Sequence, residues 1–212
     1  MSATMDARKM RVMIWRMLAG AVVGAVASLL FFKFVGEPYM DLKNPSVLIA
    51  AACGIVYLLI GLMVALGVAA PKTGAHFLNV EDADELREER PKLRTSAIAT
   101  ILIGVFVLVL AMAGGGIDNQ VALAIAALCL IAVVAVTAAG VKQYDELTWQ
   151  LTREASAYGF YATLVLFGGW AALAHLGYVP WISPLAFVSL LIILQLLTAF
   201  IAVGRRGMLM PR

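Results

Sequence analysis

Six long apolar stretches, separated by short polar ones, constrain this chain more than any other feature. A segment needs about 20 consecutive apolar residues to cross a hydrocarbon core of about 30 Å. Candidates fall at 12–34, 47–69, 96–113, 121–141, 157–176 and 181–203. Hydrophobic residues make up 63% of the sequence and charged residues only 14%, well outside soluble norms. The expected fold is therefore an all-α membrane protein, one six-span domain over 1–212, with the lipid bilayer as its first partner.

The connections differ in kind. Gly36-Glu37-Pro38 with Asn44-Pro45 marks the first, Gly114-Gly115-Gly116 the third and Gly177 to Pro184 the fifth; these are short or little charged. The second and fourth, about 70–95 and 142–156, carry most of the charge. Fourteen of the sixteen basic residues lie before the first span, in these two connections or at the C-terminus, leaving Lys33 and Lys43 on the other side. The positive-inside rule then places both termini and both charged connections in the cytoplasm. The net charge of +3 reads as topology, because no basic patch with interleaved aromatics suggests nucleic acid. The basic start, Arg8 to Arg16, and the Ala25-Val26-Ala27 pattern invite comparison with a signal peptide. The apolar run continues through Leu29 to Phe32, so a retained first helix is expected.

Asp84-Glu85-Leu86 and Asp145-Glu146-Leu147 each precede a span, and Lys92 matches Arg153, and Thr95 matches Ser156, at the same 61-residue offset. Both copies would enter the membrane from one side, as parallel repeats of a helical hairpin do; unrelated helix starts using similar charges would give the same pattern. In the second connection Asn79 can cap a short acidic helix that breaks near Pro91. In the fourth, Tyr144 to Glu154 is expected to run as helix into the fifth span, with Trp149, Tyr158 and Tyr161 at the interface.

Candidate chemistry is sparse. No span interior holds Asp, Glu, Lys, Arg or His, the groups by which proton- or ion-coupled carriers work. His76 and His175 fall on opposite sides of the expected topology and cannot share a metal. Cys53 and Cys129 sit in apolar runs, where a thiol behaves as a small hydrophobe. Asp145, Glu146 and Glu154 are the only carboxylate cluster that an enzyme could use, and roles as helix-start and solvated-loop residues explain them better. No catalytic residue, metal site or cofactor is expected.

Two kinds of residue remain. Glu81 to Glu89 holds six carboxylates in nine residues; Asp84, Glu85, Glu88 and Glu89, with Asp145 and Glu146, are candidates for docking a protein partner, against a merely solvated helix face. Within the spans, Gly20, Gly24 and Ser28 form a small-residue stripe suited to close helix packing, within the chain or between copies of a homo-oligomer. Gly168-Gly169 allows a close approach or a kink. Gln195 is the most polar side chain deep in any span; an interhelical hydrogen bond is the expected use, and a polar spot on a solute path, with Thr163, Ser189 and Thr198, the other.

The acidic pair Asp145-Glu146 with Arg153, leading through a short amphipathic segment into a hairpin of spans, resembles a pattern among small uncharacterised bacterial inner-membrane proteins. The resemblance implies a bacterial inner-membrane setting and carries over no functional residue. The expected function is a non-enzymatic membrane scaffold or accessory subunit docking a partner through its charged connections. The alternative is a small carrier or channel for an apolar or amphipathic solute.

Overall fold

The computed structural model describes residues 7–70 and 87–208; within α1 the described side chains are Trp15, Leu18 and those from residue 20 onward. Asp84, Glu85, His76 and the Asn79 cap lie outside the described residues. Six helices are long and apolar enough to cross a membrane. They are built on α1 (Ala7–Phe31), α2 (Pro45–Ala69), α3 (Arg90–Met112), α4 (Asn119–Gly140), α5 (Glu146–Thr163) and α6 (Pro184–Arg205), the first span running Gly20–Tyr39 and the fifth Glu146–His175 through the short helical segments that follow α1 and α5.

Local chemistry sets most of the ends. Asn44, Asp118, Asp145 and Ser183 each cap a helix by accepting a backbone N–H with the side chain, and Pro45 and Pro184 occupy first-turn positions where no donor is missed. The chain bends at Glu89, and α3 opens with Pro91 in its first turn. The third span therefore extends further toward its charged N-terminus than 96–113. The fourth connection is not helical from Tyr144: a 3-10 turn at Val141–Gln143 and extended Tyr144 precede Asp145, and α5 starts only at Glu146.

Two π turns correct the sequence reading. Gly36-Glu37-Pro38 does not end the first helix. α1 widens into a π turn at Phe32–Gly36, with the Glu37 N–H bonded back to Phe32 O, and then closes a last turn at Glu37–Tyr39. Proline lacks the N–H that a continuing helix would use, and an i→i+5 turn re-spaces the carbonyls before it. Likewise α5 passes through a π turn at Leu164–Gly168 into a final segment at Gly169–His175. Gly168 and Gly169 thus mark a change of helical winding, and both are exposed, with no neighbouring helix close by.

The helices from α2 onward are ordered in space as α4, α3, α2, α6, α5, each packing chiefly on its neighbours in that row, with a minor α3–α6 contact. α2 and α3 run antiparallel at close range: a Cβ built on Gly104 would lie 2.9 Å from Leu58 N and 3.0 Å from Gly54 O, and one on Gly61 would lie 3.0 Å from Ile101 N. Backbones meet because small residues recur every seven positions, Gly54 and Gly61 on α2 and Ala97, Gly104 and Ala111 on α3, which keeps one seam facing the partner. α2 and α6 run parallel, joined by Ser183 Oγ–Ser46 Oγ at 2.6 Å, Cys53 Sγ donating to Ser189 O at 3.5 Å and Tyr57 OH donating to Ile192 O at 2.8 Å. The core, including Ala50, Tyr57, Val107 and Leu108, lies around these contacts. Cys53 and Cys129 are buried and free.

α1 stands apart. Its C-terminal end is clasped, since Gly36 and Met40 are buried and the α3–α4 loop lies against Tyr39 so closely that a Cβ on Gly116 would sit 2.6 Å from Tyr39 Cβ. That loop turns at Gly114, whose φ of +77° favours glycine. Further along, Val22, Val26 and Leu29 are exposed, and nothing lies within 4 Å of a Cβ built on Gly20 or Gly24. Among the described residues, the stripe with Ser28 packs against no helix at those glycines. The hairpins α3–α4 and α5–α6 both form, but they meet α2 through α3 in one case and α6 in the other. The packing therefore does not display the hairpin repeat.

Candidate functional site

One end of the row collects the charged residues around the start of α3, the end of α4, the start of α5 and the end of α6. Asp145 accepts the Thr148 N–H at 2.8 Å, and Lys92 Nζ, 2.7 Å from Glu89 Oε2, lies 4.0 Å from Asp145 Oδ1. The Thr148 hydrogen bonds, with the Lys92 charge adding to them, hold the Asp145 carboxyl below the ordinary carboxylate range. Lys92 thereby relates the beginnings of α3 and α5, which the sequence had treated as separate docking connections. Glu146 accepts from Gln150 Nε2 at 3.2 Å, and Glu88 is exposed.

The α5–α6 corner is a chain of directed bonds. Arg205 Nη1 donates to Tyr158 OH at 2.6 Å, and Tyr158 OH donates to Glu154 Oε1 at 2.9 Å. Glu154 Oε2 receives Arg206 Nε at 3.1 Å and lies 3.0 Å from Arg206 Nη2. Arg206 Nη1 also donates to Gln150 Oε1 at 3.3 Å. Arg205 stacks over the Tyr158 ring at 5.4 Å, and Arg153 over Trp149 at 5.5 Å, with Tyr144 edge-on to Trp149 at 5.7 Å. Asp145, Glu146 and Glu154 each have their own partner. Glu154 ties α5 to the end of α6, Asp145 faces Lys92 of α3, and Glu146 bonds within α5.

At mid-height the hydroxyls are mostly consumed by their own helices: Ser189 Oγ donates to Leu185 O at 2.8 Å, Thr198 Oγ1 to Gln195 O at 3.0 Å and Thr100 Oγ1 to Ser96 O at 2.8 Å. Thr163 Oγ1 differs, being buried with no hydrogen-bond partner. Gln195 packs at the α5–α6 contact with its amide directly against buried Gly159. The expected interhelical hydrogen bond is not made: among the described residues the Gln195 amide has no hydrogen-bond partner, and the residue is exposed. Sequence reasoning missed Gly159, whose missing side chain gives the amide room, and Tyr57, whose hydroxyl reaches across to α6. It also missed Gly54, Gly61 and Gly104, although their seven-residue spacing was readable.

His175 is exposed at the other end of the row. Among the described residues no three His, Cys, Asp or Glu side chains come together as metal ligands would. No protein-family model, curated protein or solved structure matches the chain.

Proposed function

We propose that the chain is a multi-pass protein of a bacterial inner membrane, both termini cytoplasmic, that serves as a non-enzymatic scaffold or accessory subunit. The observation that carries this reading is the open row of helices. α4 and α5 each pack mainly on one neighbour, and α1 is held chiefly at its outer end. Much apolar helix face is therefore left for lipid or for other subunits. The charged end, cytoplasmic by the distribution of basic residues, is tied by Lys92, Glu154 and Arg206 into one surface on which a partner could dock, with Glu88 exposed beside it and Asp84 and Glu85 adjoining in sequence. Charge reversal across Asp84, Glu85, Glu88 and Glu89 should abolish co-purification of a protein partner from gently solubilised native membranes. Co-purification that survives it removes this face from the proposal.

A carrier for an amphipathic solute is the second reading, favoured by two polar groups without a hydrogen-bond partner among the described residues, the Thr163 hydroxyl on α5 and the Gln195 amide on α6. It calls for flux in proteoliposomes that falls in Gln195→Leu.

A further inference from the structure

Gln195 lies eleven residues after Pro184 and ten before Arg205, so along α6 it is about 15 Å from either end at 1.5 Å per residue. Its side chain is too short to reach the headgroups from there. A primary amide carries two donors and an acceptor oxygen with two lone pairs, and hydrocarbon satisfies none of them. Among the described residues nothing does so either: the amide lies against Gly159, where a Cβ would stand, and the residue is exposed. Ser189 and Thr198, the nearest hydroxyls along α6, spend their protons on carbonyls of their own helix.

We infer that a second copy of this chain covers the α5–α6 face, the two Gln195 amides pairing across a two-fold axis parallel to the membrane normal. Three observations choose this occupant. An amide is self-complementary: each N–H meets the other's carbonyl in a reciprocal pair, as an isologous contact requires. A copy inserted in the same orientation brings its Gln195 to the same depth without further adjustment. And Gln195 is the only Asn or Gln in the interior of any span, so no other amide of the spans competes for this pairing. Gly159 is the positioning residue, because any side chain there would collide with the amide and turn it away. The inference rests on membrane insertion as proposed above.

The test uses the full chain in alkaline-washed native membranes, transferred to lipid nanodiscs and counted by native mass spectrometry. The wild type is expected as a dimer, and Gln195→Leu, which keeps the volume and suits lipid, is expected to weaken that dimer about tenfold, the scale of an interhelical polar contact. In a Cys53→Ala, Cys129→Ala background, Gln195→Cys should form a covalent dimer on oxidation with copper phenanthroline. A wild type that stays monomeric in the washed membranes overturns the pairing and leaves the membrane reading standing, as does a dimer unaffected by Gln195→Leu with no cross-link at Gln195→Cys. A foreign chain bound in place of a second copy, and lost in Gln195→Leu, also overturns it. Recovery of the wild type in the alkaline wash overturns the membrane reading itself, and this inference with it.

Discussion

Glycine does opposite things in α2–α3 and in α1. Between α2 and α3, Gly54, Gly61 and Gly104 let two backbones approach so closely that an added methyl group would meet main-chain atoms. Along α1, Gly20 and Gly24 face open space. Yet the α1 glycines have the four-residue spacing usually associated with close packing, while those of α2 are seven apart. A small residue permits an approach and does not cause one. The approach also needs a partner helix whose own small residues fall opposite, and Ala97, Gly104 and Ala111 supply that for α2. α1 has no such counterpart in this chain.

The sharpest way to break this contrast is Gly104→Leu. Its side chain meets Leu58 N at 2.9 Å and Gly54 O at 3.0 Å, both backbone, as well as the Leu58 side chain, so separation of α2 from α3 should cost about 3 kcal/mol, at the upper end of overpacking penalties. Reversible unfolding in mixed micelles measures it. In the same assay Gly24→Ala should change stability by less than about 1 kcal/mol and in the favourable direction, since it meets nothing and replaces a poor helix former. A large loss there would show that α1 is packed after all. Tyr57→Phe tests the parallel side of α2 and should cost about 0.6 kcal/mol, the mean for an interhelical hydrogen bond in a membrane. Local hydrogen exchange should detect it even if global unfolding does not.

The smallest effect expected is a pH dependence. Asp145 has its carboxyl held low by Thr148 and Lys92, so its cap is fully formed above the ordinary carboxylate range and is lost as pH falls through the lowered value. Protection of the Thr148 amide should then drop below about pH 4 relative to that of Ala186, whose cap is the non-titrating Ser183 hydroxyl. Equal protection of both amides down to pH 2 would remove Asp145 from that role.

How far the sequence was legible follows the same physics. The number of spans was readable because apolar length is a one-dimensional property. The winding of α1 through Phe32–Gly36 was not, since Gly36-Glu37-Pro38 is a stop signal in an ordinary α-helix and only a π turn carries the helix past it. The order α4, α3, α2, α6, α5 was also beyond reach, because it depends on pairs of faces and each span is apolar nearly all round. At the charged end the single residues were recognisable, Asp145 and Glu154 among them. Their pairing with Lys92 and Arg206 across long sequence separations was not.

The clasp at the C-terminal end of α1 has a mechanical consequence. From Gly36 back to Ala7 the helix extends about 44 Å at 1.5 Å per residue. With its support concentrated at one end, that length is a lever whose fulcrum is the Tyr39 contact with Gly115 and Gly116. A tilt of about 10° at the fulcrum would carry the far end sideways by about 8 Å, given a rigid helix of that rise per residue. A small displacement of the α3–α4 loop would be enlarged in the same proportion along the length of α1.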